Sequence, residues 1–281
     1  MRALVGEVVW MSTVIQGIRR LGYDFSRWVR EERVARRAVV HPSPCFILGM
    51  QKSGTSAIAG LLSLRTGVPG AVDLAREWRR CTIIKASRSE RNFNRYVRRN
   101  AADFARPLVK EPGLTYVHQH LVRRWPDSKV VIVVREPLAT IRSVLERLKL
   151  PGDRDSIEDS GLRDIPQPWR VVLDNRWLGV GTGHYIDQLA ERWCIAARLA
   201  LAKQDTWMMV RYEDFVRDKI GTIDSIAGRF DFPVVAEIDS FLDRPFQPRG
   251  ARRDPREVFG PNLERIVERT ESLVDQLGYP A

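Results

Sequence analysis

The stretch Cys45-Phe46-Ile47-Leu48-Gly49-Met50-Gln51-Lys52-Ser53-Gly54-Thr55-Ser56, continuing through Ala57 to Leu64, constrains the fold more than any other part of the chain. It reads as a short apolar strand, a turn with two glycines, and a helix with Ile58, Leu61 and Leu62 at helical spacing. Thr66-Gly67 supplies the stop. A strand that passes through such a turn into a helix aims several backbone N–H groups at one point. The helix N-terminus adds roughly half a positive charge there. The segment is therefore a site for a phosphate or a related anion, although a glycine turn with one solvated lysine is the plainer alternative.

The position of the lysine narrows the chemistry. In the nucleotide-triphosphate loop G-x-x-x-x-G-K-[ST], the lysine follows the second glycine. With Gly49 and Gly54 as the two glycines, Thr55 stands where that lysine belongs, and Lys52 sits inside the turn. This is a phosphate cradle with a displaced cation, which disfavours a Walker-type NTPase.

The strands and helices around it indicate one α/β domain with a parallel sheet. Pro107-Leu108-Val109-Lys110-Glu111-Pro112 is a short strand ending on a charged pair before a proline. Lys129 to Val134 is a continuous β-branched run suited to burial on both faces. Arg135-Glu136 ends it, and Pro137 opens a helix whose stripe is Leu138, Ile141, Leu145 and Leu148. Ser143 is about 200° around from Ile141 and faces away from that stripe. Arg135 and Ser143 thus converge outside the carboxyl end of the sheet, where open α/β sheets bind ligands. Trp207 to Tyr212 is another strand, with Glu213-Asp214 opening a helix. The spacing also predicts a strong helix carrying Ile186, Leu189, Trp193 and Ala197, and a last one carrying Leu263, Ile266, Val267, Thr270, Val274 and Leu277.

Residues 1–43 read as an Arg-rich helical lead-in whose first 18 residues form an amphipathic helix, and 44–281 as the α/β domain. Residues 151–182, rich in Gly, Pro and Asp and holding Trp169 and Trp177, read as a long functional loop on the acceptor side. His118 and His120 read as a surface strand-turn, with no further ligand to make a metal site. Two basic segments, 79–100 and 244–256, would suit nucleic acid, but a solvated helical face is the better reading of the first.

Length and composition bound the answer without choosing it. The chain has 281 residues, 44% hydrophobic and 29% charged, as expected of a globular protein. There is no apolar run long enough for a membrane-spanning helix, and Arg19-Arg20 follows the apolar start in the reverse of a secretory signal's order. Cys45, Cys81 and Cys194 lack disulfide or metal spacing, which points to a reducing, cytoplasmic setting. The net charge of +11 calls for an anionic partner.

Three separated segments resemble those of the PAPS-dependent sulfotransferases (PAPS is 3′-phosphoadenosine 5′-phosphosulfate). They are Gly49 to Ser56; Val131-Ile132-Val133-Val134-Arg135-Glu136-Pro137 with Ser143; and Val210-Arg211-Tyr212-Glu213-Asp214-Phe215. The resemblance implies a three-layer, P-loop-NTPase-like α/β fold with a central parallel sheet flanked by helices. It implies that Gln51, Lys52, Ser53, Gly54, Thr55 and Ser56 hold the 5′ end of PAPS, Lys52 meeting the oxygen between phosphate and sulfate. Arg135 and Ser143 would grip the 3′-phosphate, and Tyr212 would touch the adenine. A planar guanidinium suits bidentate phosphate binding. The family's in-line transfer needs no metal, and its acceptor is a small molecule or glycan with a hydroxyl. A homo-oligomer is compatible with all this, and nucleic acid is not an expected partner.

The chain also departs from the family's cytosolic phenol branch. Ala57 stands where that branch stacks the adenine on a Trp, and Lys110-Glu111-Pro112 where it carries K-T-H with the catalytic His. These positions look more like the bacterial and glycan-modifying branches. In them Lys110 lies near the sulfuryl group, and an acidic residue is the general base: Asp73, Glu77 or Glu111 here. Two rivals remain at this level: a kinase with an irregular phosphate loop, and a basic nucleic-acid- or anion-binding protein without catalysis.

Overall fold

In the computed structural model the described residues are 37–77, 81–157, 159–181, 183–242 and 253–279. The expected N-terminal amphipathic helix, Trp78 with Arg79 and Arg80, and most of the 244–256 segment lie outside them.

Five parallel strands form one sheet in the order β2-β3-β1-β4-β5: β1 Cys45–Gly49, β2 Gly70–Val72, β3 Leu108–Lys110, β4 Val130–Val134 and β5 Met208–Arg211. β1 is the middle strand, with Ile47 opposite Lys110 on one side and Gly49 opposite Val133 on the other. After β1 the chain crosses to β2 on one side, returns to β3, and then crosses β1 to reach β4. The loops leaving β1, β3 and β4 therefore gather at the switch in strand order, where a crevice opens.

Every residue of β1 and β4 is buried, which is why both are continuous apolar runs. Their side chains alternate between two layers. Cys45, Ile47, Val131 and Val133 pack with Ile58 and Leu62 of α1 (Thr55–Thr66) and with Ile223 and Ile226 of α7 (Lys219–Arg229). Phe46, Leu48, Ile132 and Val134 pack on the opposite layer. That layer is built from α2 (Glu90–Arg99), α3 (Pro137–Leu148), α5 (Tyr185–Lys203) and α8 (Asn262–Gln276). The result is the three-layer arrangement expected.

Several finer expectations are corrected. Residues 151–182 are not an irregular loop throughout: they contain a short helix Asp159–Arg163, α4 (Gln167–Leu173) and a 3₁₀ turn Arg176–Leu178. Leu173 and Val172 bury in the core, and so override the local Gly/Pro signal. His118 and His120 lie on a helix, His118–Arg124, and not on a strand-turn. Each ring is taken by a carbonyl, that of Thr115 and that of Ser87 respectively. On α8 the buried line is Ile266, Thr270, Leu273 and Leu277, whereas Val267 is exposed because one residue further turns it 100° away. β2 was not foreseen: it is a three-residue edge strand after Pro69, too short for any periodicity. On α2 the aromatic rings Phe93 and Tyr96 are core residues and the arginines lie outside, so these rings are not a surface for stacking bases.

Candidate active site

All five strands end on the same edge of the sheet, and each delivers at least one of the candidate residues there. Lys52 follows β1, Asp73 follows β2, Lys110 ends β3, Arg135 follows β4 and Tyr212 follows β5. A cavity of about 570 Å³ opens between them. Its walls include Gln51, Lys52, Gly54, Thr55, Ser56, Asp73, Glu77, Lys110, Glu111, Arg135, Ser143 and Tyr212. Of the expected site residues only Ser53 stays off that wall: it is buried, and its hydroxyl donates to the Met50 carbonyl at 2.7 Å, closing the turn.

The turn is held tightly. Gly49 has φ 140°, and a Cβ there would meet the Val133 carbonyl oxygen at 2.5 Å. Thr115, which sequence reasoning missed, grips both polar groups of Gly49. Its Oγ1 accepts from the Gly49 N–H at 2.8 Å and donates to the Gly49 carbonyl at 3.0 Å. Lys52 adopts φ 73°, the left-handed region that L-residues enter at a cost of roughly 1–2 kcal/mol. Gly54 caps α1 at φ 96°, and among the described residues no side chain caps that helix and no acidic residue sits in its first turn. The first N–H groups of α1 are left for a ligand.

The cations crowd one another. Burial, followed by the fields of Arg147 and Arg135, lowers the Lys52 pKa to about 8, with Lys110 adding a smaller push. Arg135 donates to the Lys52 carbonyl at 2.9 Å and lies 4.5 Å above the Tyr212 ring. Tyr212, the first residue of α6 (Tyr212–Arg217), in turn sits against Gly54, where a Cβ would come within 2.2 Å of its Cδ2. Tyr212 is thus first a support for Arg135 and for the turn. Glu213 reinforces it by accepting the Glu136 N–H at 3.0 Å, and Glu136 caps α3 through the N–H groups of Leu138 and Ala139. On α3, Arg142, Glu146 and Arg147 join Ser143 on the cavity wall. Arg147 is one turn beyond Ser143, so the i, i+4 spacing was a signal that it shares that face.

The three acidic candidates separate clearly. Glu77 accepts from the Thr82 N–H and hydroxyl, both at 2.9 Å, and from the Ile83 N–H at 2.8 Å. It starts the short helix Ile83–Ser87. Glu111 accepts from the Gly113 N–H at 3.0 Å and the Leu74 N–H at 3.2 Å. Burial pushes the Glu111 carboxyl up to about 7, opposed by Lys110 and reinforced by Asp73. Both carboxylates therefore hold backbone. Asp73, at φ 63°, instead meets Lys110 Nζ at 2.5 Å, with Lys110 almost fully buried and Asp73 partly open.

One further cation was missed. Arg192 of α5, 1% exposed, lines the cavity and lies 3.9 Å over the Tyr116 ring. Trp177 packs at the edge of Tyr116 and is not among the lining residues, whereas Trp169 is, beside Pro168, Val171 and Val172. Among the described residues no group of His, Cys, Asp and Glu is arranged to hold a metal ion, and no helix is long and apolar enough to cross a membrane.

A glycine turn feeding an uncapped helix, a parallel sheet switched at that strand, and a ring of cations at its carboxyl edge define a P-loop-like α/β protein with an anion-attracting cleft. The sulfotransferase domain model matches residues 42–249, and the chain belongs to that family. It is a sulfotransferase. Among solved structures it is similar to the sulfotransferase STF9 from Mycobacterium avium, at 14% identity and a TM-score of 0.53, covering 91% of this chain and 81% of that one. It is less similar to the sulfotransferase domain of the curacin biosynthetic pathway, at 15% identity and a TM-score of 0.47, covering 86% and 99%. A retinol dehydratase solved with retinol and PAP is more distant, at 14% identity and a TM-score of 0.39, covering 91% and 88%. Comparison with curated protein sequences gives no match.

Proposed function

We propose that the protein transfers the sulfuryl group of PAPS to a hydroxyl of a small-molecule or glycan acceptor by in-line displacement. The observation that carries this is the placing of Lys52 and Arg135 on one cavity, at the ends of adjacent strands, with cations predominating on its walls. A doubly phosphorylated adenosine fits that charge pattern. In this reading the N–H groups of Gly54, Thr55 and Ser56 and the two hydroxyls hold the 5′-phosphate. Arg135 and Ser143 hold the 3′-phosphate, and Ala57, Leu61, Phe215 and Val216 give the adenine an apolar wall beside Tyr212.

The ammonium of Lys52 lies beside the bridging oxygen and stabilises the charge left on it as the S–O bond breaks. Lys110 supports the sulfuryl oxygens. Asp73 is the general base: it takes the acceptor's proton as the new O–S bond forms. The case for it over Glu77 and Glu111 is that their oxygens are committed to backbone N–H groups. Fixed donors of this kind are each worth on the order of a hundredfold in rate.

The acceptor side is walled by Ile83, Pro112, Pro168, Trp169, Val171 and Val172, which favours an acceptor with an apolar portion next to its hydroxyl. The test is a labelled-PAPS transfer screen over phenols, alcohols, glycolipids and sugars, with PAP binding measured in parallel. Micromolar PAP binding and transfer to at least one hydroxyl class are expected. Magnesium-dependent ATP binding without a response to PAP would favour a kinase instead.

A further inference from the structure

The guanidinium of Arg192 makes hydrogen bonds to three uncharged acceptors. Nε donates to Gln51 Oε1 at 3.2 Å, and Nη1 donates to Asn175 Oδ1 at 2.6 Å and to the Val171 carbonyl at 3.3 Å. Two of those acceptors belong to the acceptor-side segment and the third to the phosphate loop. A guanidinium has donors only, so the carboxamide of Gln51 must turn its oxygen towards it. The amide nitrogen of Gln51 then faces away from Arg192. Gln51 is half-buried on the cavity wall next to Lys52, and its Nε2 finds no acceptor among the described residues. An amide N–H₂ turned away from Arg192, on a residue that lines the cavity, is a donor within reach of a ligand bound there.

We propose that Arg192 is a positioning residue that locks the Gln51 carboxamide, so that Nε2 donates to a non-bridging oxygen of the sulfuryl group during transfer. The inference rests on the sulfuryl-transfer reading above. Gln51 moves no proton: the bond from sulfur to the bridging oxygen breaks, the bond from sulfur to the acceptor oxygen forms, and the acceptor's proton leaves to the base. The donor matters most as the sulfuryl oxygens pass between the two partners, when a fixed dipole needs no reorganisation. The second consequence is that Arg192 couples the phosphate loop to Val171 and Asn175, so the acceptor wall and the transferring group share one anchor.

The experiment compares the whole protein with Gln51→Leu, Gln51→Glu and Arg192→Lys. Release of labelled sulfate from PAPS to water gives an acceptor-independent rate, and transfer to 2-naphthol and to glucose gives acceptor-dependent ones. Dissociation constants for PAP, which has no sulfuryl group, and melting temperatures are measured alongside. Gln51→Leu is expected to lower kcat by on the order of a hundredfold, with PAP affinity within about twofold of wild type, whereas Gln51→Glu is expected to lower kcat at least as far and to weaken PAP as well, because its carboxylate repels the phosphates. Arg192→Lys, which keeps a charge but loses the fork, is expected to lower kcat by about tenfold or more at unchanged PAP affinity. A Gln51→Leu variant with wild-type kcat, or with PAP affinity lost in step with kcat, overturns the inference. If Arg192→Lys does not fold, the two Gln51 variants decide alone. A wild-type protein inert towards PAPS overturns the parent reading, and this one with it.

Discussion

Lys52 is held in a left-handed turn and half-buried beside Arg135 and Arg147, so its proton is the most weakly held among the cavity's cations for which a shift is resolved. A lysine whose pKa falls from 10.5 to about 8 penalises the empty folded state while it is charged. Its contribution to stability is therefore greatest above about 10.5 and declines as pH falls through about 8. A bound polyanion reverses that penalty, because it needs the charged form. PAP affinity is thus expected to be highest below pH 8 and to weaken as pH rises through it, and Lys52→Met should flatten this limb in calorimetric titrations from pH 6.5 to 9.5. A limb that survives in Lys52→Met would assign it to another group. Glu111 behaves oppositely. Its carboxyl, raised to about 7, contributes stability that is complete below about 4.5 and lost as pH rises through about 7. In Glu111→Gln one oxygen facing Leu74 or Gly113 becomes an N–H₂ group, leaving a buried N–H unpaired. Urea unfolding should show a loss of about 1–3 kcal/mol. Asp73→Asn should remove transfer and also lower the urea midpoint, because the almost fully buried Lys110 loses its counter-charge. The sequence named these carboxylates but left all three open as the base, because what separates them is which N–H groups each carboxylate meets, and that is set by how the turns and the β2–β3 edge fold, not by residue type.

At the level of elements, the glycine turn depends on two close approaches of different kinds. At Gly54 the obstacle to a side chain is the Tyr212 ring, which can move; at Gly49 it is the Val133 carbonyl in the neighbouring strand, which cannot without parting β1 from β4. Gly49→Ala is expected to cost more than Gly54→Ala and to leave little folded protein in expression trials. Gly54→Ala should fold, bind PAP at least tenfold more weakly, and lose the Arg135–Tyr212 stack. Adding Tyr212→Ala should restore part of the lost melting temperature, since it removes the clashing ring, but not the affinity. A double variant no more stable than Gly54→Ala would place the fault in the positive φ alone. The long helices and the two central strands were legible because each buries a face at its own period. β2 and α4 were not, since elements of three and seven residues are decided by what they pack against.

Across the whole molecule, the cations at the carboxyl edge of the sheet come from segments far apart in the chain: Lys52, Lys110, Arg135, Arg147 and Arg192 all face one cavity. Filling that cavity with a polyanion should tie the three layers together. With PAP at about a hundred times its dissociation constant, linkage gives about 2.7 kcal/mol, or a rise of about 5–10 °C in melting temperature for a domain of this size. Added salt should shrink the rise, because part of it is charge pairing. AMP, which lacks the 3′-phosphate, should give a distinctly smaller one. Equal shifts for PAP and AMP would remove Arg135 and Ser143 from the site.

The sequence by itself determined the strand–turn–helix that cradles an anion, the buried parallel strands on either side of it, and the family. Each of these rests on local rules, such as glycine where φ is positive, β-branched runs where both faces are covered, and 3.6-residue stripes. The tertiary structure decided the rest: that Tyr212 supports Arg135, that Glu77 and Glu111 hold backbone while Asp73 faces Lys110, and that Arg192 binds the Gln51 carboxamide oxygen. Apart from Glu77, whose partners are five and six residues on, and the Glu111–Gly113 bond, those depend on distances between residues tens of positions apart, which only the folding of the sheet brings together.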